Sequence, residues 1–278
     1  MFSAFRDAER LNTSDIVINE ETIRKIEHST LVKRAVEYAV EHDEVEMFLQ
    51  PLVNTSDYKL VGAEALARIR DDKGNLVSPG LFIPIAEKNG RISMMGEQMF
   101  EKACKFIHDY DIDKMGISWI NVNLSPIQFL RHDLNQRFSA MLEKYNVSAD
   151  KIHLEITEAT MIDYVLLKKQ IDLMQKTGFQ FVLDDYGSGY SNVSRLKRCP
   201  FINIKLDMEI VQDYFKDCDK ILPALVHAFK QMNFTVTAEG VETFEMAESM
   251  KKIGCDFLQG FYFSKPLPVS EFVKKYGN

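Results

Sequence analysis

Cysteine is scarce in this 278-residue chain, and the four cysteines form no pattern of paired metal ligands. Cys104, Cys199, Cys218 and Cys255 include no Cys-x-x-Cys pair, and the six histidines are scattered along the chain. Structural zinc sites use clustered cysteines and histidines, so a zinc site is not expected. The thiols are expected to be reduced and partly buried.

Long apolar runs and an excess of positive charge are also missing. No stretch approaches the ~18 apolar residues of a membrane span, and the opening MFSAFRDAER is charged where a signal peptide is apolar. The 34 Lys and Arg residues are outnumbered by 41 Asp and Glu residues, which gives a net charge of −7. Because non-specific DNA- and RNA-binding proteins carry a basic face, nucleic acid is an unlikely partner. We expect a cytoplasmic protein that does not insert into a membrane.

Glycine and proline number only 13 and 8, and no tract rich in them divides the chain. Residues 1–30 are polar and irregular, and the pattern predicts helices over 20–27 and 31–41. We interpret residues 1–30 as a helical leader, either a docking helix or, preferably, the remnant of a linker. Residues 31–278 are expected to form one domain, because α/β barrels of about 250 residues commonly stand alone.

From Glu44 onward, β-rich runs alternate with amphipathic stretches. The predicted strands cover 45–53, 60–69, 116–124, 151–157, 179–185, 201–207, 234–240 and 257–263. Predicted helices include 94–108, 161–176, 219–232 and 243–252. Near-continuous apolar strands are typical of a parallel sheet covered by helices. Eight of them favour a (β/α)8 TIM-like barrel over an open sheet.

Polar side chains stand at the ends of most of these strands, where a buried strand should avoid them. They are Glu64, Asn123, Glu155, Asp184, Asp185, Lys205, Glu239 and Gln259. In a parallel barrel the carboxyl ends of the strands converge on one rim, where active sites are built. The pattern therefore predicts one cleft that contains five carboxylates, amides and a lysine.

Carboxylates crowded in a cleft resist ionisation unless cations neutralise them. Oxygen ligands of this kind suit Mg²⁺ or Mn²⁺. The adjacent Asp184 and Asp185 could hold two ions about 3.5–4 Å apart, the spacing that clamps the attacking and leaving oxygens in phosphoryl displacement. The residues alone thus predict metal-assisted chemistry on an anionic substrate.

Each element also has a simpler interpretation. A single glutamate at a strand end is more often a surface ion pair, Asp184-Asp185 could form a turn with a helix cap, and Lys205 could extend to solvent. The full set at successive strand ends is harder to explain in this way, because unpaired buried charges cost several kcal/mol.

An ordered series of motifs connects these positions. They are FLQPLV (48–53), GAEALAR (62–68), FIPIAEKNG (82–90), NVNLS (121–125), LEITEA (154–159), DDYGSGYSNVSRL (184–196), INIKLD (202–207), TAEGVET (237–243) and GCDFLQGFYFSKPLP (254–268). From about Glu44 to its end, the chain resembles the EAL-domain family of cyclic di-GMP phosphodiesterases. The resemblance implies an EAL-type barrel, possibly with one antiparallel strand.

The resemblance also implies a role for each site residue. The ligands of a first metal would be Glu64, Asn123, Glu155 and Asp184. Asp185 and Glu239 would bind a second metal and the attacking water. Lys205 would hold the water and stabilise phosphate charge, and Glu158 would support the loop after Asp184-Asp185. Substrate contacts would come from Gln50, Leu66, Arg68 and Gln259. The metal would be Mg²⁺ or Mn²⁺, with Ca²⁺ inhibitory.

The implied function is hydrolysis of cyclic di-GMP to linear pGpG in bacterial signalling. Family membership also implies a homodimer through residues 186–194 and an attached or partner GGDEF or sensory domain. The first alternative is a catalytically silent cyclic di-GMP receptor, which substitution of Glu64, Asp184 or Lys205 would have favoured. An enolase-type barrel enzyme and a purely structural partner protein are further alternatives. Neither of these two accounts for the ordered motif series.

Overall fold

The computed structural model describes residues 20–129, 131–157, 164–187, 196, 199–218 and 220–277. The strands are β1 Glu46–Asn54, β2 Leu60–Arg70, β3 Leu76–Val77, β4 Trp119–Asn123, β5 Ile152–Thr157, β6 Gln180–Tyr186, β7 Phe201–Leu206, β8 Thr235–Ala238, β9 Phe257–Leu258 and β10 Leu267–Pro268. The helices are α1 Glu20–Glu41, α2 Pro79–Lys88, α3 Ile92–Asp109, α4 Pro126–Phe129, α5 Leu134–Tyr145, α6 Tyr164–Gln175, α7 Met208–Asp217, α8 Ile221–Gln231, α9 Phe244–Ile253 and α10 Val269–Tyr276.

Eight strands close into a barrel in the order β1-β9-β8-β7-β6-β5-β4-β2, with β2 paired back to β1. The strands from β4 to β9 and β2 run parallel, whereas β1 is antiparallel to β9. The predicted TIM-like barrel with one antiparallel strand is therefore confirmed. The short strand β10 pairs with β1 outside this ring, at Phe48↔Pro268 and Leu49↔Leu267.

The chain divides into two units, and the larger comprises residues 45–67 and 92–278. In it, side chains alternate along each barrel strand between the helices and the lumen. Leu154 and Ile156 flank Glu155 on β5, and Ile204 and Leu206 flank Lys205 on β7. These four aliphatic side chains are fully buried. Their burial forces the polar residue between each pair into the barrel.

The smaller unit comprises residues up to 44 together with 68–91. Helix α1 packs on α2, and Arg91 forms an ion pair with Glu41. The two helices predicted at 20–27 and 31–41 are one helix, because no glycine or proline separates them and the Thr30 hydroxyl donates to the Ile26 carbonyl at 2.8 Å. Helix α2 was not predicted. It begins at Pro79, a favoured first position, and accommodates Pro84 in its interior. The boundary at residue 30 stays a prediction.

The last predicted strand, 257–263, is much shorter in the structure, where β9 ends at Leu258. After it the chain closes on the segment that follows β8, with Val241 N–H donating to the Gln259 carbonyl at 3.1 Å and Tyr262 N–H donating to the Val241 carbonyl at 3.0 Å. A Cβ at Gly260 would lie 2.1 Å from the Val241 carbonyl oxygen. Glycine is required for this close approach, which fixes Gln259 at the barrel mouth.

None of the helices within the described residues combines the length and the apolar character needed to cross a bilayer.

Candidate metal centre at the barrel mouth

Lys205 lies at the centre of the acidic cluster. It projects from β7 into the barrel and is only 1% exposed. Its ammonium nitrogen lies 2.7 Å from Glu239 Oε1, and a further three carboxylates surround it. These are Glu155 Oε1 at 2.9 Å, Glu64 Oε2 at 3.0 Å and Asp184 Oδ1 at 3.1 Å. The alternative that Lys205 extends to solvent is excluded by this burial.

Two amides complete the hydrogen bonding of Glu64, and a third holds one of them in place. Asn123 Nδ2 donates to Glu64 Oε1 at 2.8 Å, and Gln259 Nε2 donates to Glu64 Oε2 at 2.7 Å. Gln259 Nε2 also lies 3.2 Å from Gln50 Oε1, and Gln50 Nε2 donates to the Ser264 carbonyl at 3.2 Å. Glu64 is therefore held at both oxygens, in an orientation set by four different barrel strands and the residues that follow them.

A β-bulge brings Asp184 and Asp185 to the same side of β6. Neighbouring residues of a regular strand point to opposite faces, but the pairing with β7 shifts between Leu183 and Tyr186. Asp185 has a φ of 55°, in the left-handed region that aspartate tolerates better than most residues. As a result, one carboxylate oxygen from each of Asp184, Asp185 and Glu239 lies within 4.8 Å of the others.

The cluster carries an excess of negative charge. Its five carboxylates face one ammonium, which leaves a formal charge of −4 when all are ionised. Burial opposes the charged form of Lys205, but the surrounding carboxylates outweigh it and raise the lysine pKa well above its usual value. Burial also opposes ionisation of Glu64, yet Lys205 and the amides of Gln259 and Asn123 lower its pKa overall. Lys205 and Glu64 are thus both charged.

The other acids are driven toward the protonated form. Burial, followed by repulsion from Glu64, raises the pKa of Glu155 well above its usual value. Burial likewise raises the pKa of Asp184. It raises the pKa of Asp185 to about 6, with Asp184 adding to the effect, and that of Glu239 to about 8. A centre in which buried carboxylates outnumber positive groups in this way is suited to bind cations.

The donor set fits a hard divalent cation. Among the described residues, Glu155 Oε2 and Gln259 Oε1 are buried without a hydrogen-bond partner. Buried oxygens of this kind are costly unless an unseen partner satisfies them. Carboxylate and amide oxygens are the ligands that Mg²⁺ and Mn²⁺ prefer. The two divalent ions predicted from the sequence would offset the formal charge of −4.

The structure brings together most of the predicted site residues. Those that lie around Lys205 or next to one of its neighbours are Gln50, Glu64, Asn123, Glu155, Asp184, Asp185, Lys205, Glu239 and Gln259. Leu66 and Arg68 follow Glu64 along β2 and are half-buried. Glu158 lies outside the described residues, as does most of the predicted dimer segment, 188–194. The assigned roles stay predictions.

One contact was missed by the sequence reasoning. Asn121 Nδ2 donates to Glu155 Oε1 at 2.6 Å from a position deeper in the barrel. The signal was available, because Asn121 stands two residues before Asn123 and must face the same side of β4.

These features define a TIM-type barrel with an acidic candidate metal centre at the carboxyl ends of its strands. The family model for the EAL domain matches residues 33–266. The chain belongs to the EAL domain family, and the resemblance found in the sequence is confirmed.

The chain is similar to parts of longer bacterial proteins. The chain is 32% identical over 240 residues to the oxygen sensor protein DosP of Escherichia coli, an alignment that covers 85% of this chain and 30% of DosP. It is also 32% identical over 239 residues to the bifunctional diguanylate cyclase/cyclic di-GMP phosphodiesterase MucR of Pseudomonas aeruginosa, covering 84% of this chain and 35% of MucR. The chain thus spans about a third of the length of these relatives.

A solved structure has the same fold. The structure described as the PaMucR phosphodiesterase, c-di-GMP complex, superposes with a TM-score of 0.81 at 30% sequence identity. The superposition covers 87% of this chain and 99% of that one. The barrel and the positions of its strands are therefore those of an EAL domain.

Proposed function

We propose that this chain is a phosphodiesterase that hydrolyses cyclic di-GMP to linear pGpG with Mg²⁺ or Mn²⁺. The observation that carries the proposal is the acidic centre around Lys205, whose nitrogen lies within 3.1 Å of four carboxylates of the predicted metal set. The fifth, Asp185, has an oxygen within 4.8 Å of those of Asp184 and Glu239. Similarity to MucR, whose name includes this activity, and to a complex with cyclic di-GMP supports the choice of substrate.

We assign the metal ligands as the sequence predicts. The first ion would be held by Glu64, Asn123, Glu155 and Asp184, and the second by Asp185 and Glu239. Bound divalent cations supply Lewis acidity toward the phosphate and lower the pKa of water. The remaining tasks, which are orientation, charge balance and proton transfer, belong to the side chains of this chain.

Lys205 and Glu239 are placed for charge balance and proton transfer. Water adds to phosphorus as the bond to the ribose 3′ oxygen breaks, so one proton leaves the water and one joins the departing oxygen. Glu239 is the carboxylate beside Lys205 that can take up the first proton. The ammonium of Lys205, 2.7 Å from Glu239 Oε1, offsets the charge that develops on the phosphate oxygens.

The assay that tests this proposal uses the purified chain and cyclic di-GMP. We expect pGpG with Mg²⁺ or Mn²⁺, none with EDTA, and inhibition when Ca²⁺ is added, because Ca²⁺ tolerates irregular coordination and is a weaker Lewis acid. Chromatography separates the nucleotides. Retention of intact cyclic di-GMP in equilibrium dialysis without any product would instead identify a receptor.

Metal affinity should depend on pH. The pKa values of about 6 for Asp185 and about 8 for Glu239 mean that protons compete with the cation below pH 8. Each displaced proton changes the affinity roughly tenfold per pH unit. We expect calorimetry to show Mn²⁺ binding that strengthens about a hundredfold from pH 6 to pH 8.

The matched control for this pH dependence is Glu239→Gln, which removes the group that titrates near pH 8. Its weaker Mn²⁺ binding should depend less steeply on pH than that of the wild type, because only the other raised acids still titrate. A wild-type affinity that is constant from pH 6 to pH 8 would contradict the assigned ligands.

We further propose that the chain is a cytoplasmic homodimer that pairs through residues 186–194 and works with a GGDEF or sensory domain. The greater length of its relatives leaves room for such domains. Light scattering tests the dimer directly.

A further inference from the structure

The barrel lumen beneath the metal centre contains a chamber that is lined by apolar side chains together with several polar ones. TIM barrels are usually filled by layers of Val, Ile and Leu side chains. Here a cavity of about 220 Å³ lies between the strands, and its lining includes Trp119, Asn121, His153, Asn203 and Thr237. Trp119 closes the lower part, where its ring stacks on His153 at 5.0 Å. The chamber could hold several waters, since each takes up roughly 30 Å³.

One set of polar groups in this chamber forms hydrogen bonds among its own members and the adjacent backbone. Asn203 Nδ2 donates to Thr235 Oγ1 at 2.9 Å, and Thr237 Oγ1 donates to Asn203 Oδ1 at 3.0 Å. Thr235 Oγ1 in turn donates to the Ile202 carbonyl at 3.0 Å. These bonds remain within β7 and β8 and reach none of the acids.

Asn121 differs from this set because it faces the metal centre. Its amide nitrogen donates to Glu155 Oε1 at 2.6 Å, the oxygen that Lys205 also contacts at 2.9 Å. Glu155 Oε1 thus has two donors, whereas Glu155 Oε2 has no hydrogen-bond partner. Asn121 itself is 1% exposed, and its Oδ1 is likewise unpartnered among the described residues.

We infer that Asn121 is a positioning residue for Glu155. By holding Oε1 from within the chamber, it fixes the rotation of the carboxylate and leaves Oε2 directed to a cation. Its own Oδ1 faces the chamber, where water can donate to it. This role rests on the proposed function, because it assigns Glu155 to the metal set. The role belongs to an amide, since an aliphatic side chain at this position would leave both Glu155 and the cation less well ordered.

The test compares two substitutions at Asn121 with a matched control. Asn121→Leu keeps the branched shape of the side chain, with a larger volume, and removes the donor. Asn121→Ala removes the donor but leaves space for a water that can replace it. Asn203→Leu changes an amide of the same chamber that does not contact the acids. Each protein is titrated with Mn²⁺ by calorimetry without nucleotide and is unfolded thermally in EDTA.

Asn121→Leu should weaken Mn²⁺ binding about 10- to 100-fold, the usual cost of losing a residue that orients a metal ligand. Asn121→Ala should lose less affinity, because water enters the chamber and donates to Glu155. The order of thermal stability in EDTA should be the reverse, since Asn121→Ala leaves a cavity. A purely structural role would make metal affinity follow stability. Asn203→Leu should bind Mn²⁺ within about threefold of the wild type.

Wild-type Mn²⁺ affinity in Asn121→Leu would overturn this inference, and so would an equal loss in Asn203→Leu. Failure of this inference can be distinguished from failure of the proposed function. If the wild type binds Mn²⁺ but forms no pGpG, the phosphodiesterase proposal fails and the positioning of Glu155 is still decided by the titration. If the wild type binds no Mn²⁺, both proposals fail.

Discussion

Lys205→Met should reduce hydrolysis of cyclic di-GMP by about 100- to 1,000-fold, the range measured when a preorganised electrostatic donor is removed from an active site. Methionine is close to lysine in length but carries no charge, so the four carboxylates within 3.1 Å of the lysine nitrogen lose their common counter-charge. Affinity for cyclic di-GMP should change much less, because the substrate contacts are assigned to other residues. Turnover and equilibrium binding measured side by side test this split.

The same substitution should destabilise the metal-free protein by about 3–5 kcal/mol at pH 8, as expected when one partner of a buried ion pair is removed. The pH dependence has a definite sign. Without Lys205 the pKa values of the buried acids rise further above those of the unfolded chain, so the loss is small at pH 5 and grows as the pH rises. Denaturant unfolding at pH 5 and pH 8 measures it.

Lys216→Met is the matched control, because Lys216 is exposed and lies 3.3 Å from Asp213 on the surface of α7. Surface pairs of this kind contribute little, so stability should stay within about 0.5 kcal/mol of the wild type at both pH values. If Lys205→Met were as active as the wild type, the role assigned to the lysine would be wrong.

Glu64→Gln should also reduce turnover by at least about 100-fold, because it replaces a carboxylate of the proposed metal set. Its effect on stability should differ from that of Lys205→Met. The glutamine keeps the volume, and its single amide oxygen can accept from Gln259 and Lys205 in the place of Glu64 Oε2. Its amide nitrogen can donate to Asn123 Oδ1 once the Asn123 amide flips, and its neutral side chain reduces the excess negative charge. We expect the stability of the metal-free protein to change by no more than about 1 kcal/mol.

Mn²⁺ calorimetry should show that Glu64→Gln has lost affinity, and Glu101→Gln serves as the control. Glu101 pairs with Lys144 at 2.6 Å on the surface and belongs to no part of the barrel mouth. If Glu64→Gln kept normal Mn²⁺ affinity while turnover fell, Glu64 would have to act on substrate rather than on the cation. If turnover were normal, the site assignment would fail.

The sequence predicted the barrel and its acidic rim because both follow from simple periodicity. Glu155 and Lys205 stand between aliphatic residues that must face the helices, so their direction into the barrel was determined. Asp184 and Asp185 are different, since alternation alone would point them to opposite sides. Their convergence depends on a bulge and on a positive φ at Asp185, which arise from the pairing of β6 with β7 and leave no local signal.

Other features depended on tertiary contacts that no local pattern contains. The early end of β9 follows from the approach of Gly260 to the Val241 backbone. The contacts of Lys205 with four carboxylates require residues from five parts of the chain. The motif series identified these residues but did not give the distances between them. Asn121 could have been predicted from alternation, but its value as a donor to Glu155 appears only when the distance is known.

The antiparallel strand β1 has a consequence for the order of folding. It completes the ring by pairing with β9 at Val53↔Leu258, and Gln259 follows Gln50 by 209 positions and Glu64 by 195. Contacts between such distant residues form late, because a long loop must be closed before they contribute. A growing chain on the ribosome therefore makes the β1–β2 hairpin early but cannot complete the ring until β9 has emerged. Until then Glu64 is without Gln259, and the acidic centre does not reach its final arrangement before the residues up to Gln259 have been synthesised.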